Sequence, residues 1–137
     1  MTNENKINHL NMIQNTIIRM SNNSFKLKGW TISLIVAVYA VIGQNNKAVA
    51  ITIIPVAMFW ILDSYYLKLE KEYRLLYDEI RKKKDNEIEF EMNVGNSKIK
   101  INDAEKLSVM RIMVSKSEIL FYITCMMMVV LIYYIKV

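Results

Sequence analysis

The sequence predicts a membrane protein of the all-α class with a small β element: three transmembrane helices, N-in and C-out, an N-terminal amphipathic helix, and a cytosolic helix extension leading into a β-hairpin. Three observations carry that expectation. Apolar runs at 29–43, 48–62 and 119–135 hold most of the hydrophobic residues, and none contains a formal charge. Basic residues gather beside these runs, four before the first and twelve between 68 and 117, against one in the 44–47 connection; that asymmetry keeps such segments in the cytoplasm. Between 87 and 101 the hydrophobic period falls from about 3.6 residues to 2.

Each run is about 15 to 17 residues, at or just below the roughly 17 to 25 of an ordinary span. Lys28, Lys68 and Lys136 can make up the difference by burying their methylene stems and extending their ammonium groups to the headgroups. The competing explanation is a soluble core, whose buried helices also read as apolar all round. Three such helices in 137 residues leave too little amphipathic sequence to cover them. The net charge of +5 invites a nucleic-acid reading, but its placement around the apolar runs makes the lipid bilayer the partner. Abundant Asn, Lys and Ile point to an AT-rich bacterial source, and the expected location is the inner membrane, multi-pass.

Residues 1–22 form the first element. Ile7, Leu10, Ile13, Ile17 and Met20 recur every three or four positions, with Asn8, Asn11, Asn15 and Arg19 largely opposite. This is an amphipathic interfacial helix, or one packed on the cytosolic part; His9 on it is read as a solvated residue. Asn22-Asn23-Ser24 is expected to break the helix before Phe25, Leu27 and Trp30 enter the bilayer. Some 28 mostly polar residues precede the first run, so that run is read as a retained signal anchor.

A transmembrane hairpin follows at 23–67, turning at 44–47. Pro55 lies near the centre of its second arm, where the missing N–H leaves the Ile51 carbonyl unpartnered and kinks the helix. The segment 68–117 is expected to be cytosolic: a helix continued through Leu69, Tyr73, Leu76 and Ile80, then a hairpin, then a helix capped by Asn102 and Glu105. With Gly95-Asn96 at the turn, Met92 faces Ile99, Phe90 faces Ile101, and Glu91 meets Lys100 on the other side. A short break or a continuous helix at Ser115–Glu118 leads into the third span, 118–137.

Asp63 is the most telling polar residue, because a carboxylate near the end of a span is costly unless paired or hydrated. Folding the hairpin about the 44–47 turn sets Lys28 opposite it, as a structural lock or a gating ion pair. The run Arg81, Lys82, Lys83 and Lys84 is a candidate patch for an anionic ligand or for lipid headgroups, and equally a topology signal. Glu87, Glu89 and Glu91 read as a solvated, charge-paired strand face rather than a metal ladder. Tyr65-Tyr66 and Tyr133-Tyr134 read as aromatic belts, and Met126-Met127-Met128 as flexible packing. Thr31, Ser33, Thr52 and Thr124 are the sparse polar groups available to a narrow or largely apolar pore. Cys125, the single cysteine, falls within the third run and cannot build a disulfide or metal site within one chain. With one His, one Cys and no catalytic motif, the sequence predicts neither an enzyme nor a cofactor.

The stretch Asn23-Ser24-Phe25-Lys26-Leu27-Lys28-Gly29-Trp30, with Phe59-Trp60-Ile61-Leu62-Asp63-Ser64-Tyr65-Tyr66-Leu67-Lys68-Leu69-Glu70 and Arg74, resembles a group of small bacterial membrane proteins of anti-phage defence operons. The match covers about residues 23–74. It implies an effector that oligomerises and permeabilises or depolarises the inner membrane when a nucleotide or oligonucleotide signal reaches its cytosolic part. On that resemblance Lys28 and Asp63 belong to the motif, and no ligand-binding residue carries over. Short spans and an under-covered hairpin also favour a homo-oligomer, with a tetramer as the working number. The alternative is a non-conducting membrane anchor or scaffold that recruits a cytosolic partner protein.

Overall fold

A computed structural model describes residues 3–41, 50–84, 92, 94 and 108–135. Among them are four helices: α1 (Asn3–Val41), α2 (Ile53–Lys82), α3 (Val109–Met113) and α4 (Lys116–Ile135). α1 and α2 form a long antiparallel hairpin, and α4 packs beside it, more against α2 than against α1. At 39 residues, α1 is about 58 Å long, roughly twice the thickness of a bilayer's hydrocarbon core.

This architecture corrects the expected fold class in two respects. The described residues contain no strand. Of the predicted hairpin at 87–101 only Met92 and Val94 are described, neither extended into a ladder, and the rest lies outside the described residues. Met92 and Val94 pack on the cluster formed by Ile13, Ile17, Leu76 and Ile80, so the Leu76/Ile80 stripe covers these two apolar side chains.

The second correction concerns the spans. Among the described residues two helices, not three, are long and apolar enough to cross a membrane, Glu4–Val41 and Lys116–Tyr134. Of the run at 48–62, residues 48 and 49 lie outside the described residues, and α2 begins at Ile53. From there to Leu62 the helix rises about 15 Å, half a bilayer core, before Asp63, Lys68 and Glu70 follow on the same helix. Pro55 lies in this opening turn. Ala50 and Ile51 are helical and Thr52 is a turn residue with φ −62° and ψ −22°; the amide that Pro55 lacks would have bonded to the Ile51 carbonyl, and regular helix resumes one residue beyond Thr52.

Two further details differ from the sequence reading. α1 runs unbroken through Asn22-Asn23-Ser24, because its buried face continues across them: His9, Ile13, Ile17, Ser24, Leu27, Thr31 and Ile35 are all buried, at helical spacing. Packing of that stripe along α2 outweighs the weak helix propensity of Asn and Ser. His9, expected in solvent, is one of these buried residues at 2% exposure. α3 and α4 are separated at Val114-Ser115, which settles the open choice there in favour of a break.

The core is divided along the bundle axis. At one end Ile35, Val56, Tyr122, Cys125 and Val129 are buried with Phe59, Trp60, Phe121, Met126 and Ile132 around them. At the other end lies the Ile13, Ile17, Leu76 and Ile80 cluster with Leu10, Tyr73 and Tyr77. The outer surface of the first end is strongly apolar: Val36, Val41, Ile54, Met58, Leu120, Met127, Leu131 and Tyr134 are all exposed. Only 22% of each span-length window is buried within the protein, whereas a core helix of a soluble domain is mostly buried. The chain therefore carries a membrane-compatible surface on one end of a helical bundle.

Candidate functional site

Between the two apolar clusters lies a polar layer to which three helices contribute. Lys28 comes from α1, Asp63 from α2, and Glu118 and Tyr122 from α4. Helix periodicity aims the groups: Ser24, Lys28 and Thr31 share a face of α1, and Glu118 and Tyr122 stand four residues apart on the face of α4 that continues into Cys125 and Val129.

Lys28 is the hub. Its ammonium Nζ lies 2.5 Å from Asp63 Oδ2 and 2.9 Å from Glu118 Oε1, and it donates to Ser24 Oγ at 3.2 Å. All three ammonium donors are thereby used. Asp63 Oδ2 also accepts from the Tyr122 hydroxyl at 2.9 Å. The side chain of Lys28 is 22% exposed, those of Asp63 and Glu118 0% and 2%. Aromatic rings flank the layer: Trp60 stacks on Tyr122 at 5.6 Å between centroids, Phe121 meets Tyr122 edge-on at 5.0 Å, and Lys28 Nζ lies 5.8 Å from the centre of the Phe121 ring. Burial of the two carboxylates strengthens each charge contact and raises the cost of losing one.

The donors do not saturate the site. Asp63 Oδ1, Glu118 Oε2, Ser64 Oγ and Trp60 Nε1 are buried with no hydrogen-bond partner. Counted as ions, the layer holds one cation and two carboxylates. Thr31, by contrast, satisfies its hydroxyl on the Leu27 carbonyl at 2.8 Å.

The structure thus brings Lys28 and Asp63 together and adds Glu118 and Tyr122, which sequence reasoning did not select. Glu118 matches a helix-capping spacing with Ser115, but its carboxylate turns inward to Lys28 instead. The signal available in the sequence was its i, i+4 spacing to Tyr122, which places an acid and a phenol on one face of an otherwise apolar helix.

The other selected residues lie elsewhere. Arg81 and Lys82 end α2 and Lys83 caps it, where cations complement the helix dipole. Arg81 pairs with Asp78 at 3.7 Å and Lys83 with Glu79 at 3.4 Å, while Lys6 Nζ donates to the Lys83 carbonyl at 2.7 Å. This basic run is some 28 Å along α2 from Asp63. Tyr65 and Tyr66 are in edge contact, as are Tyr133 and Tyr134. Met126 packs on the apolar cluster, whereas Met127 and Met128 are exposed. Thr31 and Thr52 are buried, and the exposed Thr124 bonds to the Leu120 carbonyl at 2.6 Å. Glu87, Glu89 and Glu91 lie outside the described residues. Among the described residues no group of three or more His, Cys, Asp or Glu side chains is placed to hold a metal ion.

A groove of about 420 Å³ opens between α1 and α2 on the charged half, lined by residues that include Gln14, Asn22, Arg74, Tyr77 and Asp78. Arg74 there is committed to Glu70 through Nε at 2.9 Å and Nη2 at 2.7 Å. The chain matches no protein-family model, no curated protein and no solved structure.

Proposed function

We propose that the protein is an integral membrane effector of bacterial anti-phage defence, a homo-oligomer that opens a pore or channel-like path through the inner membrane under the control of a nucleotide-type signal acting on its charged half. One observation carries the reading. Ser24, Lys28, Trp60 and Asp63, all within the stretch that resembles the defence-operon membrane proteins, meet at one buried ionic layer. Such a layer is costly inside a membrane protein, and ionisable groups retained at that cost are concentrated in gating and ion-handling positions.

The bundle's shape supports the same reading. Apolar side chains stand outward on α1, on the first turns of α2 and on α4, a surface suited to lipid and to neighbouring copies. The half carrying Lys6, Arg74 and the Arg81–Lys84 run belongs on the cytosolic side by the positive-inside rule, where a soluble signal reaches it.

Induced expression in bacteria loaded with a potential-sensitive dye tests this directly. Prompt depolarisation, together with a multimeric particle in lipid nanodiscs, is expected. A steady potential with the protein present in the membrane fraction would reject the effector and leave the anchor or scaffold that recruits a partner protein.

A further inference from the structure

We propose that Glu118, in the buried layer it shares with Asp63 and Lys28, is a proton-binding site, and that the proton it exchanges controls how firmly α4 is held against the α1–α2 hairpin. The inference rests on the ionic layer alone and holds whether or not an assembly conducts.

Three features point to it. Two carboxylates share a single ammonium: Lys28 Nζ is 2.5 Å from Asp63 Oδ2 and 2.9 Å from Glu118 Oε1. Each carboxylate keeps one buried oxygen without a hydrogen-bond partner, Asp63 Oδ1 and Glu118 Oε2. Among the described residues, the titratable and charged groups shown meeting here are Lys28 from α1, Asp63 from α2, and Glu118 and Tyr122 from α4, one cation against two carboxylates. A proton transferred from hydronium to Glu118 Oε2 forms one O–H bond as the hydronium O–H bond breaks to leave water, brings the layer to zero net charge and makes that oxygen a donor.

Glu118 is the carrier because the two acids are supported unequally. Asp63 Oδ2 accepts from both Lys28 and Tyr122, whereas Glu118 Oε1 accepts from Lys28 and its Oε2 has no donor. α4 is the element that responds, since its contact with α1 is sparse and is spanned by the hydrogen bond from Lys28 Nζ to Glu118 Oε1, which Oε1 keeps when Oε2 carries the proton. With the proton gone, two buried carboxylates compete for one ammonium and repel across the α2–α4 interface.

Trp60 is a built-in reporter, stacked on the Tyr122 ring at 5.6 Å. The full chain is reconstituted in phosphatidylcholine vesicles in a Trp30→Phe background, which leaves Trp60 as the only tryptophan, and its emission is followed against pH while circular dichroism confirms that the helices persist. A one-proton step is expected, absent in Glu118→Gln and retained with a displaced midpoint in Glu118→Asp. In protein with native side chains and isotope-labelled glutamate, a carboxylic-acid carbonyl band in the infrared is expected to titrate at the Trp60 midpoint, a readout that needs no carboxyl variant to fold. Amide exchange in α4 is expected to accelerate above that midpoint beyond the intrinsic pH effect. Emission that is flat with pH, a step that survives in Glu118→Gln, no titrating glutamate band, or α4 exchange that ignores the midpoint would each overturn the proposal.

Discussion

Lys28 illustrates how one side chain can hold three helices. Replacing it with Met keeps the apolar stem and removes the charge, leaving two buried carboxylates without their cation. Uncompensated buried charge costs on the order of 3 to 5 kcal/mol, so Lys28→Met is expected to lower the thermal midpoint in detergent sharply. A midpoint within error of wild type would show that the layer is hydrated rather than sealed. Tyr122→Phe removes only the hydroxyl that donates to Asp63 Oδ2 at 2.9 Å and preserves the stack on Trp60. The expected loss is about 1.5 to 3 kcal/mol, the range for a hydrogen bond to a charged acceptor, read by the same melt. Asp63→Asn retains the shape while discarding the charge that Lys28 and Tyr122 serve. On the effector reading it is expected to relieve the growth defect caused by induced expression, and undiminished toxicity at equal expression would count against a part for this acid in gating or assembly.

The helices show where local propensity yields to packing. Asn22-Asn23-Ser24 reads as a break, yet α1 continues through it because Ser24 and Leu27 are buried on the same face that seats Ile17 and Ile35. The apolar run at 48–62 reads as a span, yet only ten of its residues belong to α2 ahead of Asp63. Gly29 gives a direct check on α1. A Cβ built there meets nothing within 4 Å, so Gly29→Ala should stabilise the helix by about 0.5 to 1 kcal/mol through the lost flexibility of glycine. A lower melting midpoint would reveal a close neighbour at this position, as a tightly packed second copy would provide.

For the molecule as a whole, the decisive property is the contrast between its two ends. One end exposes Val41 at 85% and Leu120 at 71%; the other is laced with ion pairs such as Arg74–Glu70 and Lys68–Glu72. Surface ion pairs of this kind contribute little to stability, but they keep the charged half in water while the apolar half seeks lipid. Alkaline carbonate washing of bacterial membranes is expected to leave the protein in the pellet, because two helices of span length cannot be stripped by salt or pH. Recovery in the wash would mean that those faces are covered by protein instead.

Much of this was legible in one dimension. Apolar runs free of charge reveal a preference for lipid because composition alone sets transfer free energy, and pairing the first two runs antiparallel sets Lys28 opposite Asp63, the contact found between α1 and α2. The period-2 stretch at 87–101 and the second apolar run were equally visible, and equally insufficient: the described residues hold no strand, and only ten residues of the 48–62 run belong to α2 ahead of Asp63. Glu118 and Tyr122 lie 55 and 59 residues beyond Asp63, with the 87–101 region in between, and no local pattern states how a third helix will rotate against the first two. That rotation follows from long-range packing, in which Tyr122, Cys125 and Val129 settle against Ile35 and Val56 and carry the acid one turn earlier into contact with Lys28.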